Sequence, residues 1–274
     1  MVSAQRHSPS VTLRPSRTAA YLRSLAFIVT GAAVYCIVIA AARGVTRRAD
    51  APPVEPETIA AFQYCSVMSR KGLLQARLLP PEQRDSRVPL VVFLHGSGER
   101  GTDNVRQLQP LSQKLFKDHA FPCCILAPQC VPDTPWMHWM PELEELIERT
   151  LQDDRIDPDR VYLIGFSMGG SGCWELAARR PDLFAAAVPI CGGGRTDWAA
   201  SLKDLPIWAI HGSEDRAVSP ERTREMIAAI EAVGGHPRFT ELLGVGHGGM
   251  LYTCDPNSGV LDWVFKQKRE SVVR

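Results

Sequence analysis

Three residues of this 274-residue chain have the types and the order that nucleophilic acyl transfer requires. Ser167 stands in Gly165-Phe166-Ser167-Met168-Gly169, a G-x-S-x-G placed between the apolar run 161–164 and a helix-like stretch over 169–180. That context is the one a nucleophile elbow needs, because a tight strand-to-helix turn lifts the hydroxyl above a sheet edge. Glycines two before and two after leave the turn room that a Cβ would fill. A serine nucleophile needs a base, and the base needs an orienting acid. Asp215 follows the apolar run 207–210 in His211-Gly212-Ser213-Glu214-Asp215, and His247 follows 239–243 in a glycine-rich loop. Ser, then Asp, then His is the chain order such an elbow calls for. Glu214 adjoins Asp215 and is the rival acid, while Asp204 precedes its strand and lies at the wrong end. His95 and His211 also follow strands, but each precedes a glycine and reads as a brace for its loop.

The tetrahedral intermediate of acyl transfer needs two N–H donors for its oxyanion. The residue after the nucleophile, Met168, supplies one by position. The loop His95-Gly96-Ser97-Gly98-Glu99-Arg100-Gly101 supplies the other, with Ser97 first and Gly96 next. No G-K-[S/T] follows this loop, so it does not read as a phosphate cradle. Asp103, Asn104 and the cluster Trp136-Met-His-Trp-Met140 fall in loops placed to line the mouth of the site, with core or lid packing the first reading of the aromatics and substrate contact the lesser one.

These residues need elements to hold them. From about residue 60, short apolar runs alternate with longer amphipathic stretches. Residues 62–68 and 73–79 read as a hairpin around Arg70-Lys71-Gly72. Runs at 89–94, 123–127, 161–164, 185–190, 207–210 and 239–243 are continuous rather than alternating, as in strands covered on both faces. Helix-like segments lie at about 106–118, 141–154, 169–180, 220–233 and 258–268, with Pro220 and Gly234-Gly235 bracketing one of them. Strand–helix repetition predicts a mostly parallel α/β sheet with helices on both faces, whose ligands sit beyond the carboxyl ends of the strands.

The start of the chain is a different object. The net charge is +1, which points to no nucleic-acid partner, but residues 1–48 hold seven Arg and no Asp or Glu. Nineteen uncharged residues, 24–42, lie between Arg23 and Arg43. As a helix they would rise about 28 Å, roughly the thickness of a bilayer's hydrocarbon. The expected organisation is a basic tail (1–23), a transmembrane or signal-anchor helix (24–42), a Pro-rich linker (43–58) and a catalytic domain (59–274). Ala40 and Ala42 leave a cleaved signal open as the alternative. Either way the large domain is expected outside the cytoplasm. Of the eight Cys, no two have C-x-x-C spacing, so no zinc or other metal site is expected from them, and no disulfide pair can be named.

Leu94-His-Gly-Ser-Gly-Glu-Arg-Gly-Thr-Asp-Asn104, Ala127-Pro-Gln-Cys130, Asp159-Arg-Val-Tyr162, Gly165-Phe-Ser-Met-Gly-Gly170, Pro189-Ile-Cys-Gly192 and His211-Gly-Ser-Glu-Asp215 occur in that order. Together they resemble the serine α/β-hydrolases near the dienelactone-hydrolase-like and phospholipase/carboxylesterase proteins, over about 62–268. The resemblance implies the α/β-hydrolase fold, Ser167 as nucleophile, Asp215 as acid, His247 as base, ester hydrolysis and no cofactor. The expected partner is a small-molecule or lipid-like ester. A peptidase, thioesterase or acyl-transferase on the same three residues is the alternative, and a non-catalytic binding module a more distant one. Relatives often place a bulky aromatic soon after the catalytic His, where this chain has Gly248-Gly249-Met250.

Overall fold

The computed structural model of the chain describes residues 54–81, 86–109 and 123–269. The segment 24–42, expected to enter a membrane, lies outside the described residues. Among those described, no helix is long and apolar enough to cross a membrane. The expected helix at 106–118 falls largely outside them as well; its described start is a 3-10 turn, Arg106–Leu108.

Eight strands form one sheet in the order β1-β2-β4-β3-β5-β6-β7-β8. They are β1 (Gln63–Ser69), β2 (Gly72–Leu79), β3 (Val88–Leu94), β4 (Cys124–Gln129), β5 (Ile156–Phe166), β6 (Ala186–Ile190), β7 (Trp208–Gly212) and β8 (Arg238–Leu242). The hairpin β1–β2 turns at Arg70-Lys71, and Gly72 takes φ +121° there. β1–β2 and β2–β4 pair antiparallel, and every other pair is parallel. The parallel ladder aligns the carboxyl ends of β3, β5, β6, β7 and β8 along one edge.

The helices are α1 (Pro56–Ala61), α2 (Met140–Thr150), α3 (Met168–Arg179), α4 (Ala199–Leu202), α5 (Glu221–Ala232), α6 (Gly249–Thr253) and α7 (Val260–Lys266). Alternate strand residues serve two cores. Leu90, Val92, Leu94 and Leu163 face one, filled by Leu143 and Ile147 of α2, Trp174 of α3 and Met226 and Ile230 of α5. Val91, Phe93, Tyr162 and Ile164 face the other, under Met250 of α6 and Val260 and Val264 of α7. Burial on both faces is why the runs are continuously apolar.

Two boundaries differ from the sequence reading. α1 begins inside the stretch expected to be extended linker, because Pro56 fits a first helical turn, where its missing N–H has no intrahelical role. Val54 just before it is buried against Leu108 and Ala127. β5 starts five residues before its apolar run, since Ile156 pairs with Val88 across a register irregularity.

Leu163 is fully buried at the centre of the strand that carries Ser167. Leu163→Ala is expected to lower the unfolding free energy by about 2–5 kcal/mol, read as an earlier urea midpoint with an unchanged m-value.

Candidate active site

β5 ends at Phe166 and α3 begins at Met168, so Ser167 alone makes the turn. Its backbone is at φ 57°, ψ −116°, a strained region for a residue with a Cβ. The neighbouring strand holds it there. The Ser167 N–H donates to the Ile190 carbonyl at 2.8 Å, and its own carbonyl accepts from the Ser171 N–H at 3.0 Å. Gly169 is required by contact: a Cβ there would lie 1.9 Å from the Leu94 carbonyl oxygen. The close approach of α3 to β3 presses the turn against the end of the sheet.

The three residues predicted to act together are brought together. The Ser167 hydroxyl lies 2.7 Å from His247 Nε2, and His247 Nδ1 lies 2.6 Å from Asp215 Oδ2. The carboxylate is an acceptor, so the Nδ1 proton points to Asp215 and Nε2 is left to accept from the serine. The imidazole packs at 5.0 Å between ring centroids on Phe166. The aromatic that supports the histidine therefore comes from the elbow itself, on the N-terminal side of Ser167, rather than from the residues after His247.

The Asp215 side chain is wholly buried. Oδ1 accepts from the N–H groups of Ala217 and Val218 at 2.8 and 3.0 Å. Burial on its own would raise the carboxyl pKa. Hydrogen bonds from His211, His247 and the Val218 N–H outweigh it, and the group is held well below the usual carboxylate range. Glu214, the rival acid, is exposed and makes no such bonds.

His211 contributes more than a loop brace. Its Nε2 donates to the Val218 carbonyl at 3.0 Å and lies 3.2 Å from Asp215 Oδ2, the oxygen that also receives His247. Its Nδ1 lies 2.8 Å from the Thr223 hydroxyl, which also lies 2.7 Å from the Gly192 carbonyl. This chain ties the ends of β6 and β7 to the first turn of α5. The spacing of His211 four residues before Asp215 was visible in the sequence, but nothing there pointed to Thr223. Cys191, His211 and Asp215 each offer a ligand-type atom within 4.8 Å of the others. Burial pushes the Cys191 thiol up to about 12, so it stays protonated, and the hydrogen bonds above already engage the other two.

His95 does brace its loop. Its Nε2 accepts from the Cys130 N–H at 2.9 Å, which puts the ring proton on Nδ1, 2.6 Å from the Gly96 carbonyl. Gly96 lies against Ser167: a Cβ on it would sit 3.5 Å from Ser167 Cβ. Ser97 follows on the exposed side, in a 3-10 turn over Ser97–Glu99. Asp103 and Asn104 do not line the mouth. Asp103 Oδ1 receives the Val105 and Arg106 N–H groups and Gln129 Nε2, while Asn104 is buried and donates to the Ala76 carbonyl. Trp136 and Trp139 are buried, and Met137 between them is exposed.

Because the Asp215 pKa is depressed in the folded state, its contribution to stability is present above the unfolded value near 4 and is lost as the pH falls below it. Urea unfolding of wild type between pH 6 and pH 3 should show a steeper loss of stability than Asp215→Asn, by up to about 1.4 kcal/mol per pH unit. Equal slopes would mean that the carboxylate is not held as described.

Residues 89–210 match the family described as alpha/beta hydrolase fold. A solved thermostable esterase is 32% identical, with a TM-score of 0.68 over 77% of this chain and 64% of that one. Est1E from Butyrivibrio proteoclasticus superposes with a TM-score of 0.58 at 14% identity, over 73% of this chain and 98% of that one. The bifunctional acetylxylan esterase/xylanase XynS20E of Neocallimastix patriciarum is 30% identical over 87 residues, 32% of this chain. The chain spans only 12% of the length of that relative. With the strand order, the turn at Ser167 and these likenesses all in agreement, the chain has the α/β-hydrolase fold.

Proposed function

We propose that this protein is a serine hydrolase that cleaves carboxylic esters through an acyl-enzyme. The observation that carries the reading is the unbroken contact from the Ser167 hydroxyl through His247 to the buried Asp215. Ser167 Oγ attacks the ester carbonyl carbon while its proton passes to His247 Nε2. Asp215 fixes the imidazole tautomer and stabilises the imidazolium. Negative charge on the carbonyl oxygen is taken by the Met168 N–H and by the loop after β3, through Ser97 or the adjoining Gly96. Met168 is the first residue of α3, where N–H groups lack intrahelical partners and the helix dipole favours an anion.

Collapse of this intermediate expels the alcohol, which leaves with the proton from His247. Water then attacks the acyl carbon, giving a proton to the same nitrogen, and the acid departs as Ser167 recovers its own. The esterase relatives support an ester as the bond broken.

A fluorophosphonate probe is expected to label Ser167, with the site read by peptide mapping. Ser167→Ala should abolish the label and lower ester turnover by about 10⁴-fold or more, and His247→Ala should do nearly the same. Undiminished labelling of the folded Ser167→Ala variant would refute the assignment.

A further inference from the structure

Beside the nucleophile a cleft of about 400 Å³ opens that the acyl-transfer steps do not use. Met168, Ser171 and Glu175 of α3 form one wall. Trp136 and Met137 form a second, and the loop 193–195 with Trp198 and Arg222 a third. The volume suits a single ring with its substituents.

Its charged groups are unusual. Arg195 is committed: it pairs with Asp197 at 2.5 Å and lies over the Trp198 ring. Arg179, next to Glu175 on α3, is bonded to Glu144 at 2.7 Å. Glu175 and Arg222 remain, and neither side chain makes a hydrogen bond or ion pair with any described residue; Glu175 is half-buried and Arg222 is exposed. Gly193 is what admits Arg222. A Cβ at position 193 would lie 2.6 Å from Arg222 Cβ and 2.7 Å from its Nε. Glu175 is half-buried; burial raises its carboxyl pKa against the pull of Arg179 and Arg195. A half-buried carboxylate kept unpartnered in a concave site is where a ligand supplies the partner, and the exposed Arg222 lines the same cleft.

The two uncommitted charges are opposite and balance. An anionic ligand meets Glu175, and a cationic one meets Arg222 and Arg195. A neutral group with several hydroxyls repels neither, since hydroxyls donate to a carboxylate and accept from a guanidinium. The methionine and tryptophan surfaces meanwhile cover the apolar faces of such a ring. We propose that this cleft binds a neutral polyhydroxylated, sugar-like portion of the substrate, with Glu175 accepting and Arg222 donating. The protein would then prefer esters of polyols to simple alkyl esters. The proposal rests on the ester-cleaving reading given above.

The test has two readouts. In active protein, the ratio of kcat/KM for a monoacetylated methyl glucoside over ethyl acetate is measured for wild type, Glu175→Gln and Arg222→Gln. In the Ser167→Ala background, binding of the same acetylated glucoside is followed by tryptophan fluorescence. The ratio is expected to fall about tenfold in each variant, and binding to weaken in parallel. A ratio unmoved in both folded variants overturns the proposal. So does a wild-type preference for a hemisuccinate or amino-acid ester that these variants abolish, which would mark an anion or a zwitterion as the ligand. If the Ser167→Ala protein binds the glucoside but wild type cleaves no ester, the cleft assignment stands and the hydrolase reading fails.

Discussion

The backbone at Ser167 is held in a conformation that a residue with a Cβ avoids, and the site is arranged around keeping it there. Three restraints act at once. The Ile190 carbonyl takes the Ser167 N–H, the Ser171 N–H takes its carbonyl, and the glycine at 169 lets α3 close onto the end of β3. The second belongs to the first turn of α3. Two come from neighbouring strands, so the strain is sustained by the sheet and not by the five-residue motif. The same closeness sets the loop after β3 beside the serine, through Gly96.

The buried carboxylate imposes the second demand. A charge with no access to water is tolerable only when its oxygens are fully occupied. Asp215 meets this with two backbone N–H groups on one oxygen and two imidazoles around the other. Through Thr223, His211 extends the network to Gly192 and so to the end of β6. Asp215 thereby shares a scaffold with the strand end that also restrains Ser167.

Much of this was legible before any coordinates. The continuous apolar runs located β3 to β7, because burial on both faces leaves no polar alternation to confuse the reading; β8, at the sheet edge and only half-buried, carries Thr240 and Glu241. The residues that follow those runs gave Ser167, Asp215 and His247 in order, because parallel strands bring their carboxyl ends to one edge. What escaped depends on contacts distant in sequence. Asp103 and Asn104 are polar residues in a loop, and only their bonds to Gln129 and Ala76 show that they anchor it. The β5 extension to Ile156 rests on pairing with Val88, not on hydrophobicity. The helical turn at Pro56 looked like linker because prolines dominate its composition, although a first turn accepts them. The short helix α6, directly after the histidine loop, is too brief to leave a periodic pattern.

The tilted contact of His247 with Phe166 has a consequence for how such a site changes. The plate beneath the imidazole is the residue immediately preceding the nucleophile, so two groups eighty positions apart in sequence share a mechanical mount. A rotation of the elbow carries the hydroxyl and tilts the ring that must meet it. Ser167 and His247 therefore cannot be re-aimed separately, and a lineage adapting this scaffold has more freedom in the walls around the mount than in the mount itself.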